Sequence, residues 1–133
     1  MAIKRLTAIE IIDETVEFYS NNDRCITEKD GCVYLNEKNQ KCAHSRCLKE
    51  NYLRKVIYID YNFEHNASEI IQKFKDNCHL PKYRGQLPKF WDQIQILHDD
   101  SIYWIVDEVT NKNVLTNKGL EYVEALKKEY AIN

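Results

Sequence analysis

The chain has 133 residues, of which 44% are hydrophobic and 30% are charged, and this composition is typical of one folded domain over residues 1–133. Its formal net charge of −2 argues against non-specific binding of nucleic acid, which usually needs a basic excess. We expect no membrane span, because no apolar run is long enough, and no secretory signal, because no apolar stretch follows the basic start. Since the five cysteines are an odd number, they predict reduced thiols in a cytosolic protein rather than a disulfide framework.

The first predicted element is a helix that starts after Thr7. Thr7 and Glu10 fit a capping box, in which each side chain accepts a hydrogen bond from the backbone N–H of the other residue. Polar turn-forming residues at 20–23 predict the end of this helix. The residues that follow the cap recur at helical spacing on one apolar face: Ile9, Ile12, Val16 and Tyr19.

A β-hairpin is the second predicted element. Its first strand would cover residues 32–35, a polar turn would cover residues 36–40, and residues 41–44 would form the returning strand. Ser45 is a candidate N-cap for a short helix that reaches Leu53.

Residues 55–61 are rich in β-branched and aromatic side chains, and this composition indicates a strand. A helix that continues from Leu48 is also compatible with the pattern. The run at residues 102–106 can likewise be a strand or a helix. From the sequence alone, each of these two segments can therefore be either a strand or a helix.

Three further helices are predicted from start signals, at residues 66–77, from Pro88 to His98, and from Thr116 to the end of the chain. Pro88 suits the first turn of a helix because its missing N–H would have no partner there. The sequence thus predicts an α+β fold, with a small antiparallel sheet that includes a β-hairpin, packed against about four helices.

One segment carries candidate metal ligands. Zinc prefers four sulfur or nitrogen ligands in a tetrahedron, and the candidate set is Cys32, Cys42, His44 and Cys47. Cys78 or His79 could supply the fourth ligand in place of Cys32. The same cysteines can instead be small buried apolar side chains. A third interpretation makes Cys42 a nucleophile with His44 as its base.

The loop at residues 82–91 interleaves cations with aromatic side chains, and its candidate ligand-binding residues are Lys82, Tyr83, Arg84, Lys89 and Trp91. The cations would hold a phosphate or another anion, and the aromatic rings would stack on a base. The alternative is a solvated loop whose aromatic residues enter the core.

Several short motifs resemble those of an uncharacterised family of small phage and bacterial proteins with a C-x-Y … K-C-A … L-Q-x-[IL]-H-D pattern. The motifs are Cys32-Val33-Tyr34, Lys41-Cys42-Ala43, Cys47-Leu48, and Ile94-Gln95-Ile96-Leu97-His98-Asp99 with Trp104. The resemblance covers about half of the chain, and His44 and Ser45 depart from the family pattern. It implies a mobile-element setting, in which small proteins often bind or inhibit host factors or sequester the nucleotide signals of bacterial immunity.

The sequence therefore predicts a non-enzymatic, phage-type binding protein that inhibits or sequesters a host defence component or its nucleotide signal. The expected partners are a host protein or a small anionic nucleotide, with no membrane and no nucleic acid; a homo-oligomer is compatible with the nine tyrosines. The alternatives are a zinc-stabilised interaction module and a small enzyme that depends on cysteine and histidine.

Overall fold

The computed structural model of the chain describes residues 4–24, 26–27, 31–32, 40–59 and 67–131, and for residues 26–27, 31–32 and 58–59 it describes the backbone alone. Its helices are α1 Ala8–Asn21, α2 Glu50–Ile59, α3 Ala67–Phe74, α4 Pro88–Asp99 and α5 Asn117–Glu129. Its strands are β1 Ile26–Thr27, β2 Gly31–Cys32, β3 Trp104–Val106 and β4 Asn113–Leu115. Single turns of 3₁₀ helix cover Ser45–Cys47, Asp76–Cys78, Pro81–Tyr83 and Ser101–Tyr103. The predicted α+β class is confirmed, with five α-helices in the described residues.

The strands form two small antiparallel sheets of two strands each. In the first sheet, β1 pairs with β2. In the second, Trp104 lies opposite Leu115 and Ile105 lies opposite Val114. None of the helices in the described residues has both the length and the apolar character that a membrane crossing requires.

The predicted capping box at the start of α1 is confirmed. The Thr7 N–H donates to Glu10 Oε1 at 3.0 Å, and the Glu10 N–H donates to Thr7 Oγ1 at 3.1 Å. Two residues of the predicted apolar face, Ile12 and Tyr19, are fully buried, whereas Ile9 is only partly buried and Ile11 takes its place in the core.

The main core surrounds α4, the central helix of the fold. Pro88 occupies the first turn of α4, as predicted. The helix packs against α1, α3 and α5, and it buries Phe90, Trp91, Ile94 and Leu97 completely. A smaller second core lies beneath α2 and α3 and contains Cys42, Leu48, Leu53, Val56, Ile70 and Cys78.

The predicted returning strand at residues 41–44 is wrong, because the chain turns there and enters the 3₁₀ helix Ser45–Cys47. The Ser45 hydroxyl donates to the Cys42 carbonyl at 3.2 Å, and the Arg46 N–H donates to the same carbonyl at 3.0 Å. Such local bonds compete with pairing in a sheet. Residues 33–35 of the other predicted strand lie outside the described residues.

The strand predicted at residues 55–61 is also wrong for its described part, because residues 50–59 form α2. Leu53 and Val56 lie three residues apart, and a helix places both on the face that enters the second core. Burial of this face therefore overrides the β propensity of the segment. Residues 60–61 lie outside the described residues.

Candidate functional site

The two aromatic residues of the predicted ligand loop belong to the core. Trp91 has no exposed surface and Tyr83 is 2% exposed. The Trp91 ring stacks on the His79 ring, with 4.7 Å between their centroids. Neither Tyr83 nor Trp91 can stack on a base in this structure, because the large apolar surfaces of both rings are already buried.

The three cations of the same loop bind three different partners. Lys82 Nζ lies 3.8 Å from Glu14 Oε2, and Lys89 Nζ donates to Glu129 Oε1 at 3.1 Å. Arg84 Nε donates to the His79 carbonyl at 3.2 Å. The loop therefore does not bring Lys82, Arg84 and Lys89 together around one anion.

The candidate zinc ligands Cys42, His44 and Cys47 are all buried. Cys42 Sγ lies 3.1 Å from Ser45 Oγ, and the Cys47 thiol donates to the Ala43 carbonyl at 3.5 Å. In the part of the chain that the structure describes, no three histidine, cysteine or acidic side chains form a group that could hold a metal ion. The side chain of Cys32 lies outside that part, so the four-residue zinc site stays a prediction.

Two of the buried thiols are poor nucleophiles. Burial raises the pKa of Cys47 to about 12 and that of Cys78 to about 11. Both side chains are therefore protonated near neutral pH, and only a thiolate is an effective nucleophile. The cysteine-dependent enzyme finds no support at these two positions.

His44 pairs with His79 in the interior of the fold. His44 Nε2 lies 2.9 Å from His79 Nε2, and His79 Nδ1 lies 2.8 Å from Asp76 Oδ1. A carboxylate accepts hydrogen bonds, so His79 Nδ1 carries the proton, and His44 Nε2–H donates to the neutral His79 ring. The pair joins two segments that lie 35 residues apart.

Two parts of the resemblance motif lie close together, because the residue that follows Lys41-Cys42-Ala43 contacts the partly buried Gln95. The His44 N–H donates to Gln95 Oε1 at 3.0 Å, and Gln95 Nε2 donates to Asp99 Oδ1 at 2.9 Å. The indole N–H of Trp104 donates to the Leu97 carbonyl at 2.8 Å. These contacts give Gln95, Asp99 and Trp104 positions within the fold rather than at an open site.

Among the described residues, a group of exposed aliphatic side chains lies on the hairpin of β3 and β4. Five aliphatic side chains in or beside this hairpin are exposed: Ile102 (51%), Ile105 (59%), Val106 (54%), Val109 (93%) and Val114 (39%). Ile105 and Val114 face each other across the two strands, and cross-strand partners lie on the same face of a sheet. Val106 follows Ile105 directly in β3, and successive side chains of a strand point to opposite faces, so the exposed residues lie on both faces of the hairpin. We call these five residues the apolar hairpin surface.

The chain around the apolar hairpin surface is acidic. Residues 99–124 contain two lysines, Lys112 and Lys118, against six acidic residues: Asp99, Asp100, Asp107, Glu108, Glu121 and Glu124. An apolar centre with a charged border is the usual anatomy of a protein-binding surface.

The hairpin is held in place by defined bonds. The Asp107 carboxylate accepts hydrogen bonds from the N–H groups of Val109 (2.8 Å) and Thr110 (3.1 Å) and thereby fixes the turn. At the base, the Asn113 side-chain amide donates to the Tyr19 carbonyl of α1 at 3.0 Å. The surface is therefore preorganised, which lowers the entropy cost of binding.

The sequence analysis did not identify this surface. Its signal was the unbroken apolar run at residues 102–106, which is compatible with a fully buried strand as well as with an exposed one.

Comparison of the chain with protein-family models, curated proteins and solved structures finds no match.

Proposed function

We propose that this chain is a non-enzymatic binding protein that docks onto a partner protein through the apolar hairpin surface. The observation that carries the proposal is the exposure of Ile105, Val106 and Val109 on a hairpin with a fixed turn. Full burial of one large aliphatic side chain contributes about 1.5–3 kcal/mol. A small cluster of this kind supplies enough free energy for a specific contact when its surroundings are complementary.

The charges around the hairpin specify the chemistry of the partner. Asp107 and Glu108 lie directly between the exposed Val106 and Val109. An apolar groove bordered by lysine and arginine side chains would match both features. Charges at the border mainly increase the association rate, so binding should weaken as salt is added.

The resemblance to small phage proteins supports a host protein as the partner, and a defence component in the host cytosol is the class we propose. Inhibition would then arise because the hairpin occupies a surface that the host protein needs. This mode of action requires no chemistry from the chain.

The test compares affinity capture from host lysate by the wild-type chain, by an Ile105→Ser/Val109→Ser variant and by a Leu87→Ser control. Leu87 is 72% exposed and precedes α4, whereas the hairpin follows the other end of α4, about 18 Å away along the helix axis. We expect the double variant to lose a basic partner that the control retains. Equal capture by all three proteins would refute the docking surface.

Analytical ultracentrifugation tests whether the apolar hairpin surface binds a second copy of the chain rather than a host protein. A dimer that dissociates in the Ile105→Ser/Val109→Ser variant, but not in Leu87→Ser, would make a second copy of the chain the occupant and would contradict the host-protein proposal. If the wild-type chain is a monomer, the apolar hairpin surface is available to a host protein.

A further inference from the structure

Arg46 occupies an unusual position between two aromatic rings. Its side chain is only 12% exposed, and its guanidinium carbon lies 4.9 Å from the centre of the Phe18 ring and 5.6 Å from that of the Tyr83 ring. Nη1 donates to Glu14 Oε1 at 2.8 Å and to the Tyr83 hydroxyl at 3.1 Å. The Tyr83 hydroxyl in turn donates to Glu14. One end of the guanidinium is therefore firmly bound.

The other edge of the same guanidinium has no partner. Nε and Nη2 of Arg46 are buried and make no hydrogen bond within the described residues. These two nitrogens form the side-on edge with which arginine binds carboxylate or phosphate through two parallel hydrogen bonds. A buried donor without a partner is unfavourable because it has lost its hydrogen bonds to water, so a ligand that supplies two acceptors would recover this loss.

The unpaired arginine lines a cleft. The cleft has a volume of about 450 Å³, and its lining includes Arg46, Lys41 and Asp23 together with the amide side chains of Asn21, Asn22 and Gln40. Its volume falls within the usual range for small-molecule sites. Two cations and three amides face one carboxylate, so the lining favours a polar ligand that carries negative charge.

We propose that this cleft binds a small molecule through its carboxylate or phosphate group, which the Nε–Nη2 edge of Arg46 holds by two hydrogen bonds. Lys41, whose Nζ also lies 3.6 Å from Glu50 Oε2, supplies the second positive charge. The side-chain amides of Asn21 and Asn22 already donate to the Glu17 and Phe18 carbonyls, so they border the ligand without binding its charged group. This inference does not rest on the docking function of the hairpin, which involves none of these residues.

Glu14 orients Arg46 in this site without closing it. Burial by itself raises the pKa of Glu14, but hydrogen bonds from Tyr83 and Arg46 lower it below its ordinary value. The carboxylate therefore stays ionised near neutral pH and holds Nη1, while the opposite edge remains unpaired. Because Nε and Nη2 have no contact with solvent in this conformation, a covering side chain has to move when the ligand enters.

The experiment is a ¹⁵N NMR titration of the full chain with sodium phosphate, sodium acetate or AMP, with sodium chloride holding the ionic strength constant. We expect saturable shifts in residues 18–23 and 40–46 and in the Arg46 Nε–H signal. Saturation by phosphate and AMP, but not by acetate, assigns the site to phosphate compounds. Saturation by acetate alone assigns it to carboxylates, and either result supports the site.

Three variants test the role of the arginine edge. Arg46→Lys keeps the charge beside Glu14 but removes the two-donor edge, and we expect at least tenfold weaker binding. Lys41→Ala, at a half-exposed ion pair with Glu50, should keep the fold and weaken binding several-fold. Lys128→Ala removes an exposed cation of α5 that is not part of the lining of the cleft and should change nothing.

Shifts that do not saturate would overturn the proposal, as would shifts spread over unrelated lysines. Wild-type affinity in both Arg46→Lys and Lys41→Ala would overturn it too. If Arg46→Lys does not fold, Lys41→Ala decides the question against the Lys128→Ala control.

Discussion

The buried His44–His79 pair should make the stability of the fold depend on pH in a range where few other groups titrate. Burial lowers the pKa of His44 well below its ordinary value, and the neighbouring His79 lowers it further. Burial also lowers the pKa of His79, although Asp76 partly opposes this effect. Two imidazolium rings with 2.9 Å between their Nε2 atoms would repel each other.

The sign of the effect follows from proton uptake. Below a pH of about 6.5 the unfolded chain protonates these histidines while the folded chain does not, so the free energy of unfolding falls as the pH falls. For each histidine that stays neutral in the folded state, lowering the pH from 7.5 to 5.5 reduces the free energy of unfolding by about 1.4 kcal/mol. His44 should contribute nearly this whole amount, and His79 adds a smaller part.

The assay is urea unfolding followed by tryptophan fluorescence at several pH values between 7.5 and 5.5. With an ordinary dependence on urea, a loss of about 1.4 kcal/mol moves the midpoint down by about 0.5–1 M. The control is His44→Gln, whose side-chain amide retains an N–H donor but cannot titrate, and its midpoint should vary less with pH. A wild-type midpoint that is constant over this range, or an equal slope in His44→Gln, would refute the reasoning.

Three further predictions concern stability. Thr7→Ala removes the cap of α1 and should cost about 1 kcal/mol in urea unfolding, whereas Thr7→Ser should cost much less; equal losses would contradict the capping role. Gly119→Ala should destabilise the chain although alanine favours helices, because the added Cβ would lie 2.3 Å from the Tyr103 carbonyl oxygen; a raised melting temperature would contradict this. EDTA should leave the melting temperature unchanged, since no group of three histidine, cysteine or acidic side chains among the described residues could hold a metal ion; native mass spectrometry that showed one bound zinc would instead support the set Cys32, Cys42, His44 and Cys47.

Sequence alone determined the features that depend on neighbouring residues. The capping box of Thr7 and Glu10, the Pro88 start of α4 and the Thr116 cap of α5 are all present as predicted. Each signal is a hydrogen bond, or a missing donor, within one helical turn, so a few adjacent residues suffice to specify it. The α+β class was predicted as well, although the described residues 41–44 and 55–59 do not form the strands predicted there.

Tertiary structure decided the features that depend on distant contacts. Residues 55–59 have a composition that suits a strand, yet they belong to α2, which buries Val56 in the second core. Trp91 and Tyr83 occur beside loop cations in sequence, but only packing determines that both rings are internal. The His44–His79 pair, the unpaired edge of Arg46 and the exposed hairpin likewise depend on segments that meet after folding. Local composition sets the propensity of each segment, whereas the free energy of burial, summed over residues far apart in the chain, determines which side chains remain accessible.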